Sequence, residues 1–455
     1  VSSSRSRTTQ VFLASTLYGT ATLAAALDAG LFPGADRRIL LVANNAPVPE
    51  TAPSLDEMPG FDALRTRFDE VVSWNATIAP HHPGVWSPRP DDVPLWERHL
   101  RLAWGLGDDE VELAVESIQV DPAMALCRIF TGVPVDVYAD GLMSYGPTRN
   151  RIDPLVGTRV GRLLHLDLVP GLRPLLLTEF GVGAKTVPTD AFLKVLGELD
   201  DAAGAAALPA VESPALLLGQ YLSALGLIGA AEEEELHLRM MRGAVARGHS
   251  RLVFKPHPTA PAQWSRAMEE EAGRLGAELT VLDGGLLTAP VLAEVLYRRM
   301  RPALVVGCFS TALLTASAFY GLPVARVGTR TLLERLTPFE NSNRVPVTLV
   351  DALVPDLEEG DGPALVPAVA PEGLNDLVRA VGFAMQPRIY PQLRPVAERY
   401  LAARTAAAGR YFKRRRLTSL GLPGGVPEQF AFLPRSAAVR RVARRARALR
   451  RMALR

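Results

Sequence analysis

One segment limits the possible folds more than any other. Ala303-Leu304-Val305-Val306-Gly307 reads as a buried strand, and Cys308-Phe309 as a turn. Ser310-Thr311 open a helical stretch from Ala312 to Tyr320, which Gly321 stops before the apolar run Leu322-Pro323-Val324-Ala325. Strand, helix and strand in that order form a βαβ unit, and continuous apolar strands imply a parallel sheet covered on both faces. Hydroxyl residues at the start of such a helix sit where free N–H groups and the helix dipole favour an anion.

Similar short strands recur in two series. Thr9–Leu13, Ile39–Val42, Val111–Val115 and Val133–Tyr138 make the first, with a helical stretch from Ala14-Ser15-Thr16 through Leu27. Ala215–Leu218, Arg251–Phe254, Leu279–Leu282, Ala303–Val306 and Pro323–Val327 make the second, with a helix over Glu232–Arg247. An Ala-rich stretch with Pro209 and Pro214 reads as the linker. A chain of 455 residues, 48% hydrophobic, can fill two cores. We therefore expect an α/β chain with one Rossmann-like domain over residues 1–205 and another over 215–385. Apolar periodicity from Pro391 to Phe412 predicts a long helix within 386–417 that returns toward the first domain. Two such domains facing a cleft, with a returning helix, are the glycosyltransferase architecture called GT-B.

Composition narrows the setting. Two cysteines, Cys127 and Cys308, are too few for a disulfide framework and lack metal-ligand spacing, so a reducing compartment is expected. Val1–Arg7 carry no apolar signal core and no run of eighteen apolar residues follows, which predicts a soluble or peripheral cytoplasmic protein. The formal charge of +2 hides an asymmetry, because Arg435–Arg455 hold nine arginines and no acid. Val439, Val442, Ala443, Ala446, Leu449 and Ala453 recur at helical spacing there. That pattern fits a solvated basic tail or a surface helix on anionic lipid. No aromatic residue interleaves the arginines, which argues against nucleic acid.

Ligands of open α/β sheets bind beyond the carboxyl ends of the strands. Four polar signals fall at such positions: Ser15-Thr16, Asp140-Gly141, Lys255-Pro256-His257-Pro258 and Ser310-Thr311. Two belong to each expected domain, so a cleft can assemble them into a nucleotide-sugar site. In an inverting sugar transfer a carboxylate takes the acceptor hydroxyl's proton, and Asp140 fits that role. His257 suits the departing phosphate. Lys255, Ser310 and Thr311 suit its oxygens, and Ser15, Thr16 and Pro258 complete the expected donor- and phosphate-binding set. These donors make a separate metal or cofactor unnecessary. No Asp-x-Asp pair and no His-Glu-x-x-His occurs. Asp108-Asp109 and Asp200-Asp201 read as surface charges, and His81-His82 as an acceptor contact. Asn44 and the cluster Arg149, Arg151, Arg159 and Arg162 are acceptor-side candidates.

Taken separately, each signal has a plain structural explanation: a turn at Asp140-Gly141, a strand stop at the prolines, a helix cap at Ser310-Thr311. Their order carries more. The chain resembles the bacterial sialyltransferases, and most closely the alpha-2,8-polysialyltransferase family. The resemblance rests on Ala139-Asp140-Gly141 for an acidic-acidic-Gly motif, on His257-Pro258, on Ser310-Thr311, and on the opening run Gln10–Gly19. It implies a GT-B fold, CMP-sialic acid as donor, a glycan acceptor and inversion without a metal. It implies Asp140 as base, His257 at the CMP phosphate with Ser310 and Thr311 assisting, and work at the inner membrane face. One position departs, since Ala139 stands where the first acid is expected. Another CMP-activated acid sugar (Kdn or Kdo), a CDP-glycerol-type phosphotransferase and an inactive glycan-binding module remain alternative readings.

Overall fold

The computed structural model describes residues 6–202, 209, 211–257, 260–282, 291–359 and 373–426. Pro258, most of the linker and the Arg435–Arg455 tail lie outside the described residues.

Seven parallel strands form the first sheet: β1 (Thr8–Ala14), β2 (Arg37–Val42), β3 (Glu70–Ser73), β4 (Glu110–Glu116), β5 (Val135–Ala139), β6 (Val160–Leu166) and β7 (Gly183–Val187). Their spatial order is β3-β2-β1-β4-β5-β6-β7. Five more form the second: β8 (Ala215–Leu218), β9 (Arg251–Lys255), β10 (Glu278–Val281), β11 (Leu304–Gly307) and β12 (Val324–Arg326), in the order β10-β9-β8-β11-β12. All paired neighbours run parallel. Strand order reverses direction beside β1 in one sheet and beside β8 in the other, and such reversals open a crevice at the carboxyl ends. This is the two-sheet arrangement of the GT-B fold.

The sequence explains the central strands. Val11, Phe12, Leu13, Ile39, Leu40 and Leu41 are almost fully buried, as expected of strands covered on both faces. The helix Leu17–Asp28 covers one face of the sheet, and its Ala21, Ala24, Ala25 and Ala26 are fully buried in the same cluster as Phe12 and Leu40. Three strands escape pattern reading. β3 has four residues, β6 includes Arg162 and His165, and β7 is an exposed edge with Gly183, Ala184 and Lys185. None is a continuous apolar run.

Contacts between the sheets correct one expectation. Asp200 is a buried residue, bonded by Arg299 and paired with Arg298, so it ties the two halves together. It is no surface charge. The C-terminal segment also differs from a single long helix. Pro391–Leu393 form a 3-10 turn, the helix Arg394–Ala408 breaks at Arg404, and Arg414–Ser419 form another helix. Contact with the first half comes through Tyr390, whose hydroxyl receives the Thr148 N–H at 2.9 Å and reaches Glu179 at 2.6 Å. Among the described residues no helix is long and apolar enough to cross a membrane.

Candidate active site

The carboxyl ends of β1, β4 and β5 face those of β9 and β11. From β1 the chain passes through Ser15 to Thr16, which caps the helix Leu17–Asp28 by accepting the Gly19 N–H at 2.9 Å. Ser15 gives both its hydroxyl (2.6 Å) and its backbone N–H (3.1 Å) to one oxygen of Glu116, at the end of β4. These two residues therefore serve the first sheet's own carboxylate and backbone. The phosphate role expected of them finds no support in these contacts.

Asp140 follows β5 and leans over Gly19. A β-carbon placed on Gly19 would lie 3.3 Å from Asp140 Oδ2, 3.2 Å from the Tyr138 hydroxyl and 3.0 Å from Thr16 Oγ1. Absence of a side chain at Gly19 is what leaves Asp140 its place. Burial first, then repulsion from Glu116, pushes the Asp140 carboxyl up to about 7. Glu294, from the helix Ala293–Met300, adds a smaller push.

The second sheet meets the residue after this acid. A β-carbon on Gly141 would stand 3.3 Å from Thr311 Oγ1. Ser310 caps the ten-residue helix Thr311–Tyr320 by accepting the Ala312 N–H at 3.2 Å, which leaves its hydroxyl proton to donate. Tyr18 Oη lies 3.3 Å from Thr315 Oγ1, a further bridge between the halves. Lys255 ends β9 and its charge interacts with Glu294; burial lowers its pKa and that acid opposes the shift. His257 is exposed, with its ring 6.0 Å from that of Tyr221. Burial of its ring environment, then the Lys255 charge, lowers its pKa.

Gly141 and Thr311 thus meet across the two sheets, and Asp140, Glu294, Lys255 and His257 follow one another within reach of each other's charge. The acceptor-side candidates fare differently. Asn44 spends its amide on Pro49 and Ala52 carbonyls (3.1 and 2.9 Å) and so holds its own loop. Arg159 donates to Phe130 and Val133 carbonyls before β6, at the amino edge of the sheet. Arg162 pairs with Asp136. Neither belongs to a basic track beside Asp140. Arg149 is half-buried and receives the Gln386 amide on its carbonyl at 2.5 Å, while Arg151 is exposed. His81 stacks on Trp86, and both His81 and His82 line a cavity of about 590 Å³ beyond β2 and β3.

Pattern reading misses Glu116, Tyr18 and Glu294. The same strand-end rule that finds Asp140 points to Glu116, whereas nothing in the local sequence distinguishes Glu294. No cluster of three or more metal-ligating side chains occurs among the described residues.

Comparison with known proteins places this geometry. The model of the Alpha-2,8-polysialyltransferase (POLYST) family matches residues 10–329, which include every strand-end motif of the cleft. The chain belongs to the alpha-2,8-polysialyltransferase family. It is a glycosyltransferase of the sialyltransferase kind. No curated protein is significantly similar to this family member. Solved structures give distant likenesses. Apo UGT2 of Phytolacca americana is 12% identical, with 91% of this chain and 98% of that chain covered and a TM-score of 0.38. The UDP-GlcNAc 2-epimerase from Methanocaldococcus jannaschii is 10% identical, with 83% and 99% covered and a TM-score of 0.40. The E. coli heptosyltransferase WaaC with ADP-2-deoxy-2-fluoro heptose is 13% identical, with 70% and 88% covered and a TM-score of 0.36.

Proposed function

We propose that this polysialyltransferase-family chain transfers sialic acid from CMP-sialic acid to a glycan hydroxyl, with inversion and without a metal. The approach of Gly141 to Thr311 carries the reading, because it brings the loop that holds Asp140 up to the helix start that holds Ser310 and Thr311. The acceptor approaches from the first sheet, and Asp140 removes its hydroxyl proton as the new glycosidic bond forms. The bond from the anomeric carbon to the CMP phosphate oxygen breaks, and its electrons stay on the phosphate. Lys255, Ser310 and Thr311 hold that charge, and His257 donates a hydrogen bond or a proton to it.

A carboxyl raised to about 7 suits this task, since a stronger base takes more of the proton in the transition state. Cations and hydroxyls from the second sheet supply the charge stabilisation that a metal would otherwise provide. The described residues end short of the arginine-rich tail, whose nine arginines suit contact with an anionic membrane face.

The test is a donor panel in EDTA: CMP-sialic acid, CMP-Kdo and CDP-glycerol, each with a sialylated oligosaccharide. Transfer from CMP-sialic acid with inverted anomeric configuration supports the proposal. Transfer from CDP-glycerol alone, or activity abolished by EDTA and restored by a divalent cation, contradicts it.

A further inference from the structure

The absence of an acid at Ala139 has a structural counterpart one strand away. Ala139 is buried in the apolar cluster that also holds Val115, Val137 and Ile118, on the face of the sheet opposite Tyr138. An acid at that position would enter apolar packing, because successive side chains of a strand point to opposite faces. Glu116 is registered against Tyr138 across the β4–β5 pair, so the two share a face. Asp140, two residues after Tyr138, continues that face toward Gly19. Two carboxylates therefore lie on one side of the sheet, and both reach the capped start of the helix Leu17–Asp28.

We infer that Glu116 is the positioning residue for Asp140, a carboxylate on the same face of the sheet whose negative charge strengthens the base. The inference rests on the reading of Asp140 as base and deepens it. Burial raises the Glu116 carboxyl above its ordinary value, and two Ser15 donors, at 2.6 and 3.1 Å, oppose that shift by holding it as an acceptor. The turn after it is strained, with positive φ at Ser117 (52°) and at the β-branched Ile118 (43°). Repulsion from Glu116 is the leading charge effect on Asp140. The other groups facing Asp140 are Glu294 from the second sheet's side and the Tyr18 and Tyr138 hydroxyls. Lys255 and His257 act from farther along, through Glu294 and through each other. Glu116 takes no proton from the substrate; the acceptor proton goes to Asp140 alone.

The experiment compares Glu116→Gln with the wild type across pH 5 to 8. Loss of the charge lets Asp140 ionise at lower pH, so the ratio of variant to wild-type kcat/KM climbs as pH falls. The climb reaches roughly tenfold if the Asp140 pKa drops by one, and more if it drops further. Glu116→Asp, which keeps the charge, restores a flat ratio. A ratio constant with pH overturns the inference and leaves Glu116 a structural residue. A second measurement needs no catalysis. Infrared titration follows the Asp140 carboxyl, identified by its loss in Asp140→Asn, in wild type and in Glu116→Gln. Asp140 titrating at lower pH in Glu116→Gln supports the pair; an unmoved Asp140 band overturns it. Failure of transfer with coupling intact would count against the proposed reaction alone.

Discussion

Gly141 and Thr311 come from different sheets, yet a single β-carbon on the glycine would stand 3.3 Å from the threonine hydroxyl. The cleft is closed there to the width of one missing methyl group. Gly141→Ala requires the Thr311 hydroxyl to give way by a few tenths of an ångström. Misplacement of reacting groups by a fraction of an ångström to an ångström lowers rates by up to about 10²-fold. We expect turnover to fall roughly tenfold or more while the far-UV circular dichroism stays native. Wild-type turnover in this variant would show that the two halves need not approach so closely.

The Asp140 carboxyl is raised from its ordinary value to about 7, so the native state binds its proton more tightly than the unfolded chain does. Its contribution to stability is therefore full below the ordinary carboxylate range and is lost as pH rises through about 7. Asp140→Asn removes that penalty. Chemical denaturation should show the variant more stable than wild type above pH 7, by about 1–2 kcal/mol, with the gain shrinking as pH falls toward 4. Equal stability at pH 8 would contradict the buried, like-charged environment of this acid.

Much of this cleft is legible in the chain, for a physical reason. The strands β1, β2, β4, β5, β8, β9 and β11 carry buried apolar residues, so the polar residues that follow them stand out as strand ends. Asp140, Lys255, His257, Ser310 and Thr311 are found in that way. Glu294 is not, because it sits in the first turn of a helix that resembles any other. Asp200 reads as a surface charge because its partners Arg298 and Arg299 are distant in sequence, and only the packed halves bring them together. β3, β6 and β7 escape because short or exposed strands carry no buried run.

Asp140 must be ionised and His257 protonated at the same moment, but the free protein pushes both the other way. Asp140 rises to about 7, while His257 falls below its ordinary value through burial and the nearby Lys255 charge. Few free molecules hold the productive pair, so kcat/KM should peak in a narrow window near neutrality and fall on both sides. A bound phosphate beside His257 raises its proton affinity, so the alkaline limb of kcat should lie at higher pH than that of kcat/KM. Steady-state profiles from pH 5 to 9 check this. A kcat/KM that is flat across that range would exclude these assignments.

The central claim is that the acid of one sheet and the phosphate-side groups of the other serve a single transfer. Its most direct test is CMP release from CMP-sialic acid in EDTA, with and without a sialylated acceptor, for wild type, Asp140→Asn and His257→Ala. The account predicts acceptor-stimulated release by wild type. It predicts losses of about 10²–10³-fold in turnover for His257→Ala and loss of acceptor stimulation, with CMP binding retained, for Asp140→Asn. Acceptor-stimulated release at the wild-type rate by either folded variant would contradict it.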